Sequence, residues 1–306
     1  MPLTERLRAY KDLAKLTEWG AFLSVPLVWS ALDPDDRTTA FALGLLALSL
    51  VAQVGFRTAE SALDDIAGVR DGIDIVNYAE ASEHRVRARK PLLDGRLTEE
   101  QAKGYAYFAI GVAVAAFLAG LAIADFDPIW VPFAAAGAAF LVVTYSAGPK
   151  LSYHGGQEVV VISGLAVTTW CTYAVIEGSL SGAVATEGLL LGTWLMLPVT
   201  FANLHDVEGD RQAGRGTMAV RLSPEGNRRY TLALAALSGA ILLAGIALDA
   251  LPWWVVLFLV PCIAIQARAL RAGLWRGQPL LARRLCHLAY RIGWLGLFCA
   301  NLVAFT

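Results

Sequence analysis

Long apolar runs alternate with short polar ones along almost the whole chain. Nine segments approach the roughly 20 apolar residues that a spanning helix needs. They cover about 18–33, 38–61, 103–124, 128–146, 157–177, 185–206, 229–249, 251–271 and 285–305. The first is short, and Arg57 and Glu60 interrupt the second near its end. Pro26, Pro132, Pro198 and Pro261 fall inside these segments. Membrane helices tolerate such prolines better than soluble ones do. The pattern predicts an all-α integral membrane protein, a bundle of about nine transmembrane helices forming one domain over residues 1–306.

Composition agrees. Of 306 residues, 57% are hydrophobic and 17% charged, whereas about a quarter are charged in an average soluble domain. Mean hydropathy is +0.54. A disordered chain, a disulfide scaffold and a collagen-like fibre are excluded, and too little polar surface remains to cover a soluble enzyme. The net charge of −1 gives no global field for nucleic acid. Cys171, Cys262, Cys286 and Cys299 lie in apolar stretches without CxxC spacing, so they read as small buried hydrophobes. The polar, charged N-terminus lacks the pattern of a cleavable signal peptide.

Lysine and arginine fix an orientation. All of them except Arg37, Arg57 and Arg291 sit in the N-terminus or in alternate connections, at 64–103, 147–156, 207–229 and 266–284. By the positive-inside rule this side is cytoplasmic. The N-terminus is then inside, the C-terminus outside, and the bilayer the cytoplasmic membrane of a bacterium or archaeon. Arg57 and Glu60 lie inside a span, where charge is costly and usually faces a cavity. They read as site-wall residues. The run at 83–90 suits anionic headgroups, with Arg89 and Lys90 closest to the chemistry described next. His84, His154, His205 and His287 share no zinc-like spacing.

Two of the basic loops, near 64–103 and 207–229, also gather the acids. DDIAGVRDGID carries Asp64, Asp65, Asp71 and Asp74 where the second segment ends. NLHDVEGDRQAGRGT carries Asn203, Asp206, Glu208 and Asp210 where the sixth ends, then Arg215 and Thr217. If the sixth helix continues for a turn, Asn203, Asp206 and Asp210 share one face at i, i+3, i+7. Oxygen donors in that arrangement suit Mg²⁺, which binds through one or two carboxylates plus substrate phosphates. Lysine and arginine nearby would complete a diphosphate clamp.

These motifs resemble the UbiA superfamily of intramembrane prenyltransferases, nearest to its 1,4-dihydroxy-2-naphthoate prenyltransferase-like branch. Asn203, Asp206, Asp210, Arg215 and Thr217 follow the family's second aspartate motif, with Arg215 where Lys is usual. RKPLLDGRLT (89–98) and YSAGPKLSYHGGQE (145–158) resemble two further family segments. The first aspartate motif departs: Asp64 replaces the leading Asn and Gly68 stands at the second Asp position, whereas Asp74, in the closing G-x-D, is what the naphthoate branch shows. Either Asp64 or Asp71 compensates for Gly68, or the first metal binds differently. Ser152 stands where the family has Lys, and Lys150 is expected to supply that charge.

The resemblance implies Mg²⁺-dependent transfer of an isoprenoid chain from an allylic diphosphate to a lipophilic acceptor, an aromatic compound or quinone precursor. It implies Asp65, Asp206 and Asp210 as catalytic residues. Asp64, Asp65 and Asp74 would hold one metal, and Asn203, Asp206 and Asp210 the other. Lys150, Arg89, Lys90, Arg215, Tyr145, Tyr153, Asn203 and Arg57 would meet substrate. A terpene cyclase of the same superfamily, acting without an acceptor, is the alternative. A transporter fits poorly, because the carboxylates lie at one membrane face and no inverted repeat is visible.

Overall fold

The computed structural model describes residues 2–16, 19–78 and 89–304. Within them every regular element is a helix. In chain order these are α1 (Leu3–Ala14), α2 (Ser24–Ala31), α3 (Ala40–Arg70), α4 (Ile73–Asn77), α5 (Glu99–Ile123), α6 (Trp130–Thr144), α7 (Gln157–Glu177), α8 (Gly182–His205), α9 (Val207–Gln212), α10 (Met218–Arg221), α11 (Pro224–Ala247), α12 (Val255–Leu270) and α13 (Pro279–Ala304).

A helix occupies each of the nine apolar segments, but they are not equivalent. Six helices are long and apolar enough to cross a membrane: α3, α5, α7, α8, α11, and α12 with its continuation to Trp275. The segments at 18–33 and 128–146 form shorter apolar helices. The last segment is α13, long enough but carrying Arg283, Arg284, His287 and Arg291. The expectation of nine equivalent spans gives way to six clear ones and three that depart in length or charge.

Local chemistry sets the helix starts. The Thr39 hydroxyl caps α3 by accepting the Ala42 N–H. Thr98 and Gln101 form a reciprocal capping box on α5. Ser181 and Ser223 cap α8 and α11 in the same way. Each cap satisfies a donor that the helix itself cannot pair.

α8 is the central helix. It packs against α7, α11 and α13, while α3 pairs with α5 and α12 with α13. Leu190, Leu191, Met196, Leu197 and Phe201 of α8 are fully enclosed. Small residues let backbones come close, as membrane helices require when lipid is as apolar as leucine. A Cβ on Gly192 would stand 2.5 Å from the Ile162 carbonyl oxygen of α7, and one on Gly55 would stand 2.7 Å from that of Ala109 on α5. Tyr107, Phe108, Phe133, Phe140, Leu243 and Leu257 point outward, as a lipid-facing surface would. Three of the cysteines are buried and Cys299 is half-buried; all four are free.

Two features at the basic end differ from the sequence expectation. α3 runs on to Arg70, so Asp64 and Asp65 belong to its last turns rather than to a loop. α8 stops at His205, and Asp206 caps it before the short α9 begins. The Asp206 carbonyl still accepts the Asp210 N–H at 2.9 Å. Backbone pairing therefore continues past the break, but the second acidic motif is a bent one.

Gly192→Ala should lower the melting temperature of the purified protein by the equivalent of about 1–3 kcal/mol, the usual cost of overpacking. Gly137→Ala, which meets nothing within 4 Å, should leave it unchanged. Thermal unfolding in detergent compares the two.

Candidate active site

The first acidic motif is held by lysines. The Lys90 ammonium is buried between Asp65 Oδ1 at 2.7 Å and Asp74 Oδ2 at 2.8 Å. Lys15, one residue past α1, reaches Asp65 Oδ1 at 2.9 Å and Asp64 Oδ2 at 3.9 Å. Ser146 donates to Asp64 Oδ1 at 2.8 Å. Burial and Lys15 work against the charge on Lys90, but Asp65, Asp74 and Asp64 outweigh them and hold it above its ordinary pKa. Burial raises the Asp74 carboxyl by more than Lys90 lowers it. Buried carboxylates of this kind persist only when paired. Asp65 Oδ2 is buried and accepts no hydrogen bond.

The departure at Gly68 has a spatial answer. A Cβ there would sit 2.6 Å from Asp74 Oδ2 and 2.8 Å from its carboxyl carbon. The Asp74 carboxylate fills the space that a side chain at position 68 would occupy. Asp74, rather than Asp64 or Asp71, therefore stands at that spot. Asp71 points elsewhere: its Oδ2 accepts from Lys150 at 2.8 Å. Burial raises Asp71, but bonds from Lys150 and Tyr153 and the nearby Arg70 bring it below the usual carboxylate range. Burial and Asp71 in turn push the Tyr153 hydroxyl up. Lys150 thus brings a positive charge beside Asp71 and Tyr153.

Tyr153 joins the two acidic motifs. Lys150 lies 4.9 Å and Arg215 5.2 Å from its ring centroid, both in cation–π range. Its carbonyl accepts the Gly216 N–H at 2.9 Å. On the second motif, Asp210 Oδ2 accepts from Thr217 at 3.3 Å, and the Asp210 carbonyl from the Arg215 N–H at 2.8 Å. The loops also touch directly, since Gly209 approaches the Asn77 side chain so closely that a Cβ would overlap it.

A further chain runs inward. Gln157 donates to the Tyr145 hydroxyl at 2.7 Å and accepts from Asn203 Nδ2 at 2.7 Å. Asn203 is left with its Oδ1 as a donor atom to a ligand. Gln157 stands out in sequence only as a replacement for a family glycine, so its bridging role was missed. Lys15, in a charged N-terminus, gave no signal at all.

Behind these groups lies a cavity of about 920 Å³. Lys15, Asp64, Arg89, Tyr145, Asn203 and Arg215 line its polar end, and Leu45, Leu48, Phe117, Leu121, Val160 and Leu165 are among its apolar walls. Arg57 and Glu60 line it too, and they pair with each other at 2.8 Å. Their expected wall position and a structural ion pair coexist. Among the described residues, no three His, Cys, Asp or Glu side chains converge tightly enough to hold a metal by themselves. Residues 83–88 of the basic run, including His84, lie outside the described residues.

An apolar helical bundle with six helices long enough to cross a membrane, and charge gathered at one end of a cavity with apolar walls, defines an integral membrane protein. The family model described as the UbiA prenyltransferase family matches residues 37–285, and the chain belongs to that family. Solved structures share the fold. One comes from work on digeranylgeranylglyceryl phosphate synthase in membranes, with a TM-score of 0.67 at 14% identity, covering 98% of this chain and 99% of that one. The apo UbiA homologue of Aeropyrum pernix K1 gives 0.67 at 19% identity, covering 91% and 97%. The UbiA homologue of Archaeoglobus fulgidus bound to GPP and Mg²⁺ gives 0.60 at 14% identity, covering 96% and 99%. None of the curated proteins matches the chain in sequence.

Lys90→Met should destabilise the protein by about 3–5 kcal/mol, the cost of stripping a partner from buried charge. Adding Asp74→Asn should restore part of the loss. Thermal melts of the single and double variants test this.

Proposed function

We propose that the protein transfers an isoprenoid chain from an allylic diphosphate to a lipophilic acceptor inside the membrane, with Mg²⁺ as cofactor. The observation that carries this reading is one cavity whose polar end is lined by Asp64 of the first motif and by Asn203 and Arg215 of the second, and whose body is apolar. The homologue from Archaeoglobus fulgidus bound to GPP and Mg²⁺ supports the donor and the metal. The acidic loops would face the cytoplasm, on the side rich in lysine and arginine.

The residues fit the metal. Asp65 Oδ2 is buried without a hydrogen bond, and Asn203 Oδ1 and the Asp206 and Asp210 carboxylates belong to the facing motif. Mg²⁺ takes one or two carboxylates and completes its shell with water and substrate phosphates. A pair of split carboxylate sets, neither able to hold a metal alone, matches that habit. Asp64, Asp65 and Asp74 would hold one ion, and Asn203, Asp206 and Asp210 the other. When bound, Mg²⁺ neutralises the charge that builds on the departing diphosphate.

The chain's own residues do the rest. Arg215, Arg89 and Lys150 bind the diphosphate oxygens, with Lys90 holding the first acidic set in place. Preorganised cations stabilise the leaving group without reorganising as the C–O bond breaks. The apolar walls exclude water from the allylic cation. Tyr145, fixed by Gln157, presents a ring face at the polar end of the cavity. Arg57, held by Glu60, stands on the wall where an acceptor would enter. The acceptor then takes the isoprenyl carbon and loses a proton. The cyclase alternative drew its support from the altered first motif. Both readings ionise the same diphosphate, so they part only at the acceptor.

Purified protein with Mg²⁺ and a labelled allylic diphosphate should release diphosphate only when an aromatic or other lipophilic acceptor is present. Release with a terpene product and no acceptor would replace transfer with cyclisation. No Mg²⁺-dependent release at any chain length would sink both. Asp206→Ala and Asp65→Ala should each cut turnover by about 100-fold or more, as loss of a preorganised electrostatic group does. A chelator should abolish turnover reversibly without lowering the melting temperature, because Lys15 and Lys90 already balance the first acidic set.

A further inference from the structure

The first helix meets the rest of the molecule with one face only. Ala9 and Leu13 of α1 are buried against Ala62 and Ile66 of α3 and Ala102 and Ala106 of α5. Tyr10 adds a ring contact to Tyr105 of α5, with centroids 4.8 Å apart. Residues 2–8, which include the first turns, are exposed throughout. Among them Leu3 is 72% and Leu7 60% exposed. Leu3, Leu7 and Lys11 stand at i, i+4 and i+8 and form one stripe, with Arg8 beside it. A single exposed leucine is ordinary. Two on one stripe, bordered by cations, form the pattern of a helix that lies in a membrane interface.

The height of α1 on the bundle fits that pattern. It packs on the last turns of α3 and the first turns of α5. Tyr107 and Phe108, directly after Ala106, are exposed, on a helix long and apolar enough to cross a membrane. α1 therefore lies beside the level at which α5 enters its lipid-facing stretch. Tyrosine is enriched at that boundary between lipid and water.

Charge decides the kind of partner. α1 carries Arg6, Arg8 and Lys11 against Glu5 and Asp12. Asp12 is engaged by Arg96 at 2.8 Å, and Arg6 lies 6.0 Å from the Tyr10 ring centroid. Arg8 and Lys11 make no ion pair among the described residues. The free face is thus basic as well as apolar, which suits a surface of anionic headgroups over acyl chains. A second copy of the chain is a poorer occupant. Two leucines fall far short of the roughly 800 Å² per partner that a stable dimer buries, and a two-fold contact would set the same cations against each other.

We propose that α1 docks on the bilayer surface, with Leu3 and Leu7 sunk to the acyl boundary and Arg8 and Lys11 on anionic phospholipid headgroups. The docked helix braces Lys15, one residue past its end, against Asp64 and Asp65. Each basic residue close to an anionic surface adds about fivefold to such binding. None of the four docking residues lines the cavity, so the proposal stands apart from the prenyl-transfer reading.

Amide hydrogen exchange of the full chain, one copy per nanodisc, tests this. Discs of phosphatidylcholine are compared with discs of an equal mixture of phosphatidylcholine and phosphatidylglycerol. Both leaflets are alike, so orientation does not matter. Residues 3–14 should exchange about tenfold more slowly in the mixture. The gain should fade in about 1 M salt, where the Debye length is about 3 Å. Arg8→Gln with Lys11→Gln should remove most of it, since glutamine keeps the helix propensity of the residues replaced. Leu3→Gln with Leu7→Gln should speed exchange of α1 in both lipids. Residues 62–70 of α3 should gain protection together with α1, and α8 should exchange alike in every variant, which reports folding. Equal exchange of α1 in the two lipids, a gain that survives the Arg8 and Lys11 substitutions, or protection in detergent that rises with protein concentration, the mark of a second copy, would overturn the docking. A gain at α1 with none at 62–70 would overturn the bracing of Lys15.

Discussion

A single buried ammonium holds the charged end of this molecule together. Lys90 reaches into the gap between α3 and α4 and contacts Asp65 and Asp74 at once. Without a cation there, two carboxylates sealed from water would repel each other in a medium that screens them poorly. Lys15 shares the task from beyond α1. Three stretches far apart in sequence, around residues 15, 65–74 and 90, are thereby fixed to one another. The interaction is local, but it decides where the end of α3 points and therefore where the first acidic motif stands relative to the second.

The two motifs then communicate through aromatic and amide groups rather than through direct acid–acid contact. Tyr153 receives Lys150 and Arg215 on its ring and Gly216 at its carbonyl. Gln157 ties Tyr145 to Asn203. Tyr145, Lys150, Tyr153 and Gln157 all precede or begin α7, so that one connection, between α6 and α7, positions groups on both sides of the polar opening. Below it the lining turns apolar. The separation matches the proposed chemistry, in which a charged leaving group departs at one end and a reactive carbon is kept dry at the other.

Much of this was legible in the sequence because hydropathy and charge leave strong marks. The apolar runs found every long helix, and the clustering of acids with bases found both motifs. What escaped has physical causes. Arg291 was placed inside the last span without a role, since periodicity does not say which way a helix is rotated. The end of α8 was misjudged because Asp206 stops the helix while the backbone bond from Asp210 continues it. Lys15 acts through Asp64 and Asp65, and Gln157 bridges Tyr145 to Asn203, which is 46 positions away, and no local pattern encodes either. The closeness of Asp74 to Gly68 leaves no mark in the sequence, because the chain turns at Gly72 and returns Asp74 to that spot. Gly72 adopts a left-handed φ of 78°, which favours glycine.

The sharing of one small volume by positions 68 and 74 also constrains how this sequence can have changed over time. With Asp74 in place, any side chain at 68 collides with its carboxylate. With an aspartate at 68, the carboxylate of residue 74 would have to take another position. The two positions are therefore coupled: the effect of a change at one depends on the residue at the other, and the joint effect of changing both is not the sum of the separate ones.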